Sequence, residues 1–524
     1  MKRAGLYIHI PFCVKKCIYC DFNSYPGCPA EVQSGYFDAL EAEIRAFYDE
    51  LAEELCFGGE GWKCEPSGDC AECEDGGEGW KCEPSGDCAE CEDGGGSENN
   101  EDVGETGKCE DVSENGNSED GGGSVEYVFA DTLFIGGGTP SAVDTALIEH
   151  IMETVRRKKY FAESKFKCVK LLSDDAEVTI EINPGTVTSD ALLRYKKAGI
   201  NRISIGVQSM NDKELEFLGR IHSADEAKRC FKMARDAGFE NINIDLIFGF
   251  PGMSIESWKK TLEIVIDMHP EHISFYSLQI EEGTPLYSMF RNGEINQISE
   301  EADREMYHLA EQMLESAGYV HYEISNAALP GKECRHNIKY WNMSSYVGFG
   351  VSAHSYVNGR RTPYLSRILN NKIDNAALED DAAALRKDGA ASEDDAAALR
   401  SGDATQSFRY YNEDEIDLYI NRLTGHKFKT GREYNPQNVS YNMPSDELTD
   451  AIFTGLRLAE GLDFGLLERT FGKKLCYKLE NEIKKLLGER LMNEQNGRLR
   501  LTHNGRDLSN YVIGRLINCV ESED

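Results

Sequence analysis

The 524-residue chain has little positive charge and few long apolar runs. No uninterrupted apolar stretch is long enough for a membrane-spanning helix, and the amino-terminal MKRAGLYIHIPFC is too short and too interrupted for a secretory signal. Lys and Arg number 56 against 92 Asp and Glu, a formal charge of −36. This balance argues against nucleic acid as a partner, because phosphate binding depends on basic side chains. We therefore expect a cytoplasmic protein with no membrane span.

One low-complexity segment carries half of the chain's net negative charge. Residues 56–124 hold 21 acidic and 3 basic residues, and EGWKCEPSGDCAECEDGG occurs there twice in succession. So few large apolar residues cannot offset the entropy of ordering, which predicts a loop insertion at about 57–124. A second insertion is predicted at about 376–407, where EDDAAALR is repeated. The 17 cysteines favour metal or redox chemistry over disulfides in such a protein, and metal storage by the repeat remains an alternative function. The repeat cysteines are Cys64, Cys70, Cys73, Cys82, Cys88 and Cys91.

Outside these insertions, strand-like runs alternate with segments of helical periodicity. Six such units predict an α/β fold with a parallel sheet, and they are too few for a closed eight-fold barrel, so we expect a partial (β/α)6 barrel. Active residues of such folds collect at the carboxyl ends of the strands. The predicted strands are Gly5–Ile10, Ala130–Gly138, Glu177–Asn183, Ile200–Ser209, Asn241–Gly249 and His272–Ile280.

The tail from Ser445 onward has a different pattern. Two helical segments precede MNEQNGRLRLT, in which Asn496-Gly497 is typical of a tight hairpin turn. The pattern predicts a small helical domain with a wing. The predicted organisation is therefore a core over residues 1–330, a connecting region over 331–444 that holds the second insertion, and a carboxyl-terminal domain over 445–524.

Three closely spaced cysteines, Cys13, Cys17 and Cys20, follow the first predicted strand. Structural zinc sites use four ligands, usually as two separated pairs, so this loop alone would make a poor one. A [4Fe–4S] cluster held by three thiolates would keep one iron open for a substrate. The alternative is that the thiols pack as small apolar side chains.

The spacing Cys-x3-Cys-x-aromatic-Cys, with Tyr19 as the aromatic residue, resembles the signature of the radical S-adenosylmethionine (SAM) superfamily. The preceding YIHIPFC narrows the resemblance to the coproporphyrinogen oxidase-like branch. The resemblance implies a [4Fe–4S] cluster on the three cysteines, with SAM bound through its amino and carboxylate groups to the open iron. Electron transfer from the cluster can then split the sulfonium of SAM.

The same resemblance implies a set of SAM contacts. GGGTPS would bring backbone groups close to the SAM amino group, since glycine removes the side-chain obstacle. An Arg fork suits a carboxylate, and an Asp can accept hydrogen bonds from ribose. Taken singly, each residue also fits a structural role, such as a tight turn, a core-edge carboxylate or an aromatic on a buried strand. The residues implied are Tyr7, Tyr19, Gly137, Gly138, Thr139, Glu181, Gln208, Arg220 and Asp245.

HNIKYW, from His336 to Trp341, is similar to the His-Asn-x-x-Tyr-Trp motif of HemW-type heme chaperones. The resemblance implies heme bound by His336, Asn337, Tyr340 and Trp341, because a neutral imidazole can ligate iron and aromatic rings can flank a macrocycle. The alternative is a loop histidine beside two aromatics that cover the sheet edge.

The resemblance to these chaperones implies heme delivery to an acceptor protein, such as a respiratory heme enzyme. It leaves a homodimer and a peripheral membrane contact open. The alternative function is an oxygen-independent coproporphyrinogen III dehydrogenase of porphyrin biosynthesis. That enzyme carries a further cysteine as Cys-x-Cys after the triad, whereas Asp21 and Phe22 follow Cys20 here.

Overall fold

The computed structural model describes residues 3–57, 126–161, 168–370, 406–425 and 438–521. Both predicted insertions, at about 57–124 and 376–407, lie almost entirely outside the described residues, and so do the six repeat cysteines.

Eighteen strands and sixteen α-helices form the described part of the chain. The strands are β1 (Ala4–Ile10), β2 (Phe12–Cys13), β3 (Tyr25–Pro26), β4 (Glu126–Gly137), β5 (Lys158–Tyr160), β6 (Cys168–Ile182), β7 (Arg202–Gln208), β8 (Ile242–Phe248), β9 (His272–Ser277), β10 (Val320–Glu323), β11 (Asn326–Ala328), β12 (Tyr346–Phe349), β13 (His354–Val357), β14 (Phe408–Tyr411), β15 (Ser440–Tyr441), β16 (Leu462–Asp463), β17 (Met492–Gln495) and β18 (Arg498–Leu501). The helices are α1 (Ala30–Phe57), α2 (Thr145–Val155), α3 (Ser189–Lys197), α4 (Asp212–Phe217), α5 (Ala224–Asp236), α6 (Ile255–Asp267), α7 (Pro285–Arg291), α8 (Glu300–Ser316), α9 (Arg335–Trp341), α10 (Pro363–Asn370), α11 (Ile416–Thr424), α12 (Pro444–Gly455), α13 (Phe464–Phe471), α14 (Lys473–Gly488), α15 (His503–Asp507) and α16 (Ser509–Glu521). None of these helices combines the length and the apolar composition needed to cross a membrane.

The main sheet contains seven parallel strands, in the spatial order β9, β8, β7, β6, β4, β1, β12. The first six are the six predicted strands, so the predicted partial (β/α)6 barrel is confirmed. The seventh, β12, was missed because it has only four residues. Antiparallel strands extend both ends of the sheet, with β11 and β10 beside β9, and β13, β14 and β15 beside β12.

The sequence pattern explains why these strands form the centre of the molecule. Strand β7, RISIGVQ, is buried along its length apart from Gln208, as expected for a parallel strand covered by helices on one side and by the barrel interior on the other. The covering helices are amphipathic and capped. In α5, for example, Ser223 and Glu226 form a reciprocal capping box that satisfies the free amides of the first turn.

A second, smaller hydrophobic core lies between Leu448 and Val520. It is formed by α12, α13, α14, α16 and the sheet of β16, β18 and β17. The predicted hairpin is confirmed, with positive φ at both Asn496 (56°) and Gly497 (73°), as a type I′ turn requires. Helices with a β-wing confirm the predicted winged character of this unit.

Candidate functional site

One cavity of about 540 Å³ lies at the carboxyl ends of the barrel strands. We call it the cysteine cavity. It brings together eleven of the twelve residues predicted for cluster and SAM binding, although they lie on five strands and three loops. These are Cys13, Cys17, Cys20, Tyr19, Gly137, Gly138, Thr139, Glu181, Gln208, Arg220 and Asp245.

The three cysteines are partly exposed thiols without a disulfide partner among the described residues, with Cys13 at the end of β2 and Cys17 and Cys20 on the loop that follows it. Thr139 Oγ1 lies 3.4 Å from Cys13 Sγ, and Arg220 Nη1 lies 3.5 Å from Cys17 Sγ. Burial, together with the neighbouring Cys17, raises the pKa of the Cys13 and Cys20 thiols. Thiols this close need a positive charge to ionise together, and a bound metal centre supplies one.

The glycine motif after β4 sits directly against the cysteine loop. The Gly138 amide donates to the Ile10 carbonyl at 2.8 Å, and a Cβ on Gly138 would lie 2.7 Å from the Phe12 carbonyl oxygen. Gly137 has φ +109° and donates its amide to Glu181 Oε2 at 3.1 Å. Glycine is therefore required at both positions, for close approach at Gly138 and for a left-handed backbone at Gly137.

Two carboxyl groups, Glu181 and Asp245, face the cavity from β6 and β8. Burial and the charge of Asp245 raise the pKa of Glu181 to about 7. Burial also raises the pKa of Asp245, although Ser204 and Asn243 donate hydrogen bonds to it at 2.9 and 2.7 Å. Such a pair favours a ligand with a positive charge or with hydrogen-bond donors.

Asn183, which was not predicted from the sequence, links two parts of the site. Its amide donates to Thr139 Oγ1 at 2.8 Å, and its oxygen accepts from Arg220 Nη2. The signal was present in EINPG, where the asparagine comes directly after β6. Gln208 adds a local strain, with φ 70° at a bulge between β7 and β8, and non-glycine residues held this way are typical of functional sites.

Tyr7, the twelfth predicted residue, lines a neighbouring cavity of about 520 Å³. We call it the aromatic cavity. It shares Asp21 and Phe22 with the cysteine cavity. The other residues that line it are His9, Asn23, Tyr340, Tyr346, Ser352, His354 and Asp414.

The HNIKYW residues lie on helix α9, which packs against β1 near Gly5 and against β4 near Thr132. His336 is 1% exposed and uses both ring nitrogens, with Thr132 Oγ1 at 2.9 Å and the Tyr340 hydroxyl at 2.8 Å. Burial, with the nearby Lys339, lowers the pKa of His336 to about 3, so the ring is neutral. Tyr340 reaches the aromatic cavity from the same helix, while Trp341 stacks against the Arg457 guanidinium at 4.5 Å. Ligation of heme iron by His336 stays a prediction and would require one of its ring nitrogens to leave its hydrogen-bond partner.

The residues of the cysteine cavity fit a [4Fe–4S] cluster and SAM. Three thiols converge, with no fourth thiol among the described residues that line the cavity, and the positions beside them supply a carboxylate pair, an Arg and glycine-lined backbone. These groups match the amino, carboxylate and ribose groups of SAM in charge and hydrogen-bonding type.

Comparison with known proteins agrees with this geometry. Residues 125–265 match the model of the radical SAM superfamily, and residues 443–508 match that of the HemN C-terminal domain. The chain is 33% identical over 353 residues to heme chaperone HemW of Escherichia coli, covering 67% of this chain and 70% of that protein. It is 28% identical over 387 residues to heme chaperone HemW of Bacillus subtilis, covering 74% and 85%.

Among solved structures, the fold is similar to coproporphyrinogen III oxidase (HemN) from Escherichia coli, a radical SAM enzyme. The TM-score is 0.62 at 18% identity, over 99% of this chain and 90% of that one. The likeness shows a common fold.

Proposed function

The chain belongs to the HemW family of radical SAM proteins, and we propose from this that it is a heme chaperone that binds heme beside its cysteine cavity and transfers it to an acceptor protein. Membership of the superfamily implies a [4Fe–4S] cluster and SAM. The HemW relatives are named as heme chaperones, which supports heme as the cargo.

One observation carries the heme proposal. Tyr340, from the HNIKYW motif, lines a cavity that shares Asp21 and Phe22 with the cysteine cavity. A flat, largely apolar ligand there would contact aromatic side chains and lie next to the cluster loop. The two cavities together explain why one chain would combine the cysteine motif with HNIKYW.

The protein groups of the cysteine cavity have separable tasks in this proposal. Cys13, Cys17 and Cys20 would hold the cluster, which when bound can supply an electron to SAM. Glu181 would accept a hydrogen bond from the SAM amino group. Arg220, fixed by Asn183 and by the Gly206 carbonyl at 2.6 Å, would pair with the SAM carboxylate.

Heme binding and porphyrin chemistry can be tested side by side. The anaerobically reconstituted chain should bind about one heme per chain in a titration followed by absorption. In parallel, incubation with SAM, a reductant and coproporphyrinogen III should give no protoporphyrinogen IX. Steady formation of protoporphyrinogen IX would instead support the alternative function as a coproporphyrinogen III dehydrogenase.

Transfer needs a separate measurement. The heme-loaded chain should be mixed with a heme-free respiratory heme enzyme, and the enzyme's own absorption and activity followed. Faster gain of both than with free heme at the same concentration supports delivery. Equal rates would show that the chain binds heme but does not deliver it, which would contradict the chaperone function.

A further inference from the structure

Three histidine side chains lie at or next to the aromatic cavity, and the ring nitrogens of two of them already form hydrogen bonds. His336, reached through Tyr340, is bonded at both nitrogens. His9 is 6% exposed, with Nδ1 2.9 Å from the Tyr7 hydroxyl and Nε2 3.1 Å from the Asn23 carbonyl oxygen. Neither ring can offer a lone pair to a metal without breaking a buried hydrogen bond, which is unfavourable because the partner is left unsatisfied.

The third ring, His354, has a different environment. It is exposed and lines the cavity, and neither of its nitrogens has a hydrogen-bond partner among the described residues. One face of the ring stacks on Tyr411, with centroids 5.0 Å apart and planes at 19°. The backbone is fixed because β13 pairs with β12 on one side and β14 on the other. The His354 ring is therefore held in place, and no described residue bonds either of its nitrogens.

We propose that His354 is the protein's axial ligand to heme iron, with the macrocycle held in the aromatic cavity. This assignment rests on the proposed function and names the residue that would bind the cargo. Imidazole is a common axial ligand of heme, and it binds through an unprotonated nitrogen. Partial removal from water lowers the pKa of His354, which keeps that nitrogen available near neutral pH.

The rest of the cavity fits an iron porphyrin in a defined orientation. Phe22 is 67% exposed and lines both cavities. Burying it against a macrocycle would remove apolar surface from water. Asp21 and Asp414 also line the cavity, so like-charge repulsion would turn the porphyrin carboxylates toward solvent. The exposed propionates would leave the cargo accessible to an acceptor.

This assignment gives His336 a positioning role. Thr132, His336 and Tyr340 form a chain of hydrogen bonds from β4 to the cavity wall. Tyr340 in turn meets Tyr346 edge to face, with centroids 4.6 Å apart. His336 would thus set the orientation of the tyrosine that contacts the macrocycle and would not bind the iron.

The test is a ferric heme titration of the full chain, followed by absorption and electron paramagnetic resonance. The variants are His354→Ala, His336→Gln and, as a matched control, His150→Ala on α2, outside both cavities. His354→Ala should bind heme at least tenfold more weakly and with a changed iron spectrum, and added imidazole should restore the spectrum. His336→Gln, which can still bond Thr132 and Tyr340, should keep the wild-type ligand signature. Circular dichroism and iron content matching those of wild type would show that His354→Ala is folded.

Each failure has its own meaning. If His354→Ala titrates like His150→Ala, the assignment of His354 is wrong while heme binding stands. Loss of the histidine signature in a folded His336→Gln variant would return the ligand to His336 and also overturn the assignment. No saturable heme binding by the wild-type chain would overturn the proposed function and this assignment together.

Discussion

The raised pKa of Glu181 makes the stability of the cofactor-free protein depend on pH in one direction. Burial, and then the charge of Asp245, raise this pKa from an ordinary 4.5 to about 7. The folded protein therefore keeps a proton that the unfolded chain releases above pH 4.5. The contribution of this proton to the free energy of unfolding is fully present below pH 4.5 and is lost as the pH rises through 7.

The size of the effect follows from the shift. Each pH unit between the two pKa values changes the free energy of unfolding by about 1.4 kcal/mol, so raising the pH from about 5.5 to 8 should remove roughly 2 kcal/mol. In Glu181→Gln the side chain has no charge at any pH, and its amide oxygen can still accept from the Gly137 amide. The variant should therefore lose about 2 kcal/mol less than wild type over the same interval.

The measurement is urea unfolding of the iron-free full chain at both pH values, followed by tryptophan fluorescence, because Trp258 is fully buried in the barrel. Glu216→Gln, an exposed change on α4, is the matched control and should keep the wild-type pH dependence. Equal losses in wild type and Glu181→Gln would refute the reasoning, since they would show that the unfolding free energy does not depend on this carboxyl group.

Three further predictions concern the cysteine cavity and the first insertion. Cys17→Ala should lower the iron content from about four per chain to near zero and abolish the SAM-dependent spectral change, because two thiolates cannot hold the cluster. Gly138→Ala should destabilise the chain by about 1–3 kcal/mol and weaken SAM binding, since the added Cβ would lie 2.7 Å from the Phe12 carbonyl oxygen. Deletion of residues 58–123 should leave iron content and SAM binding unchanged, because the described residues already supply the three thiols and the SAM-contacting groups of the cavity.

Matched controls separate these effects from general loss of structure. Cys28→Ala removes another free, partly exposed cysteine and should keep the iron. Gly514→Ala adds a Cβ where nothing lies within 4 Å and should not destabilise the chain. A full cluster in Cys17→Ala, wild-type stability in Gly138→Ala, or loss of iron on deletion of the insertion would each contradict the corresponding prediction.

Much of the cysteine cavity was accessible from sequence because its parts are local motifs at strand ends. The triad and GGGTPS lie at or just after the ends of strands, Glu181 lies near the end of β6 and Asp245 lies within β8, and parallel strands bring such positions to one edge. Tyr7, which the family resemblance assigns to SAM, lines the adjacent aromatic cavity, and its contact with SAM stays a prediction. The boundaries of the three predicted regions and the heme ligand His336 stay predictions.

The sheet, the cysteine loop and the hairpin of the carboxyl-terminal unit could be predicted from local patterns, because periodicity, short spacings and turn chemistry act over a few residues. Which histidine near the aromatic cavity is free of hydrogen bonds could be seen only in the folded chain. The sequence does not distinguish His9, His336 and His354. In the structure, Tyr7 and Asn23 bond the ring nitrogens of His9. Thr132 and Tyr340 bond those of His336. Tyr7 and Tyr340 lie only two and four residues from their histidine partners. Thr132, however, lies 204 residues from His336, and no local pattern encodes that contact.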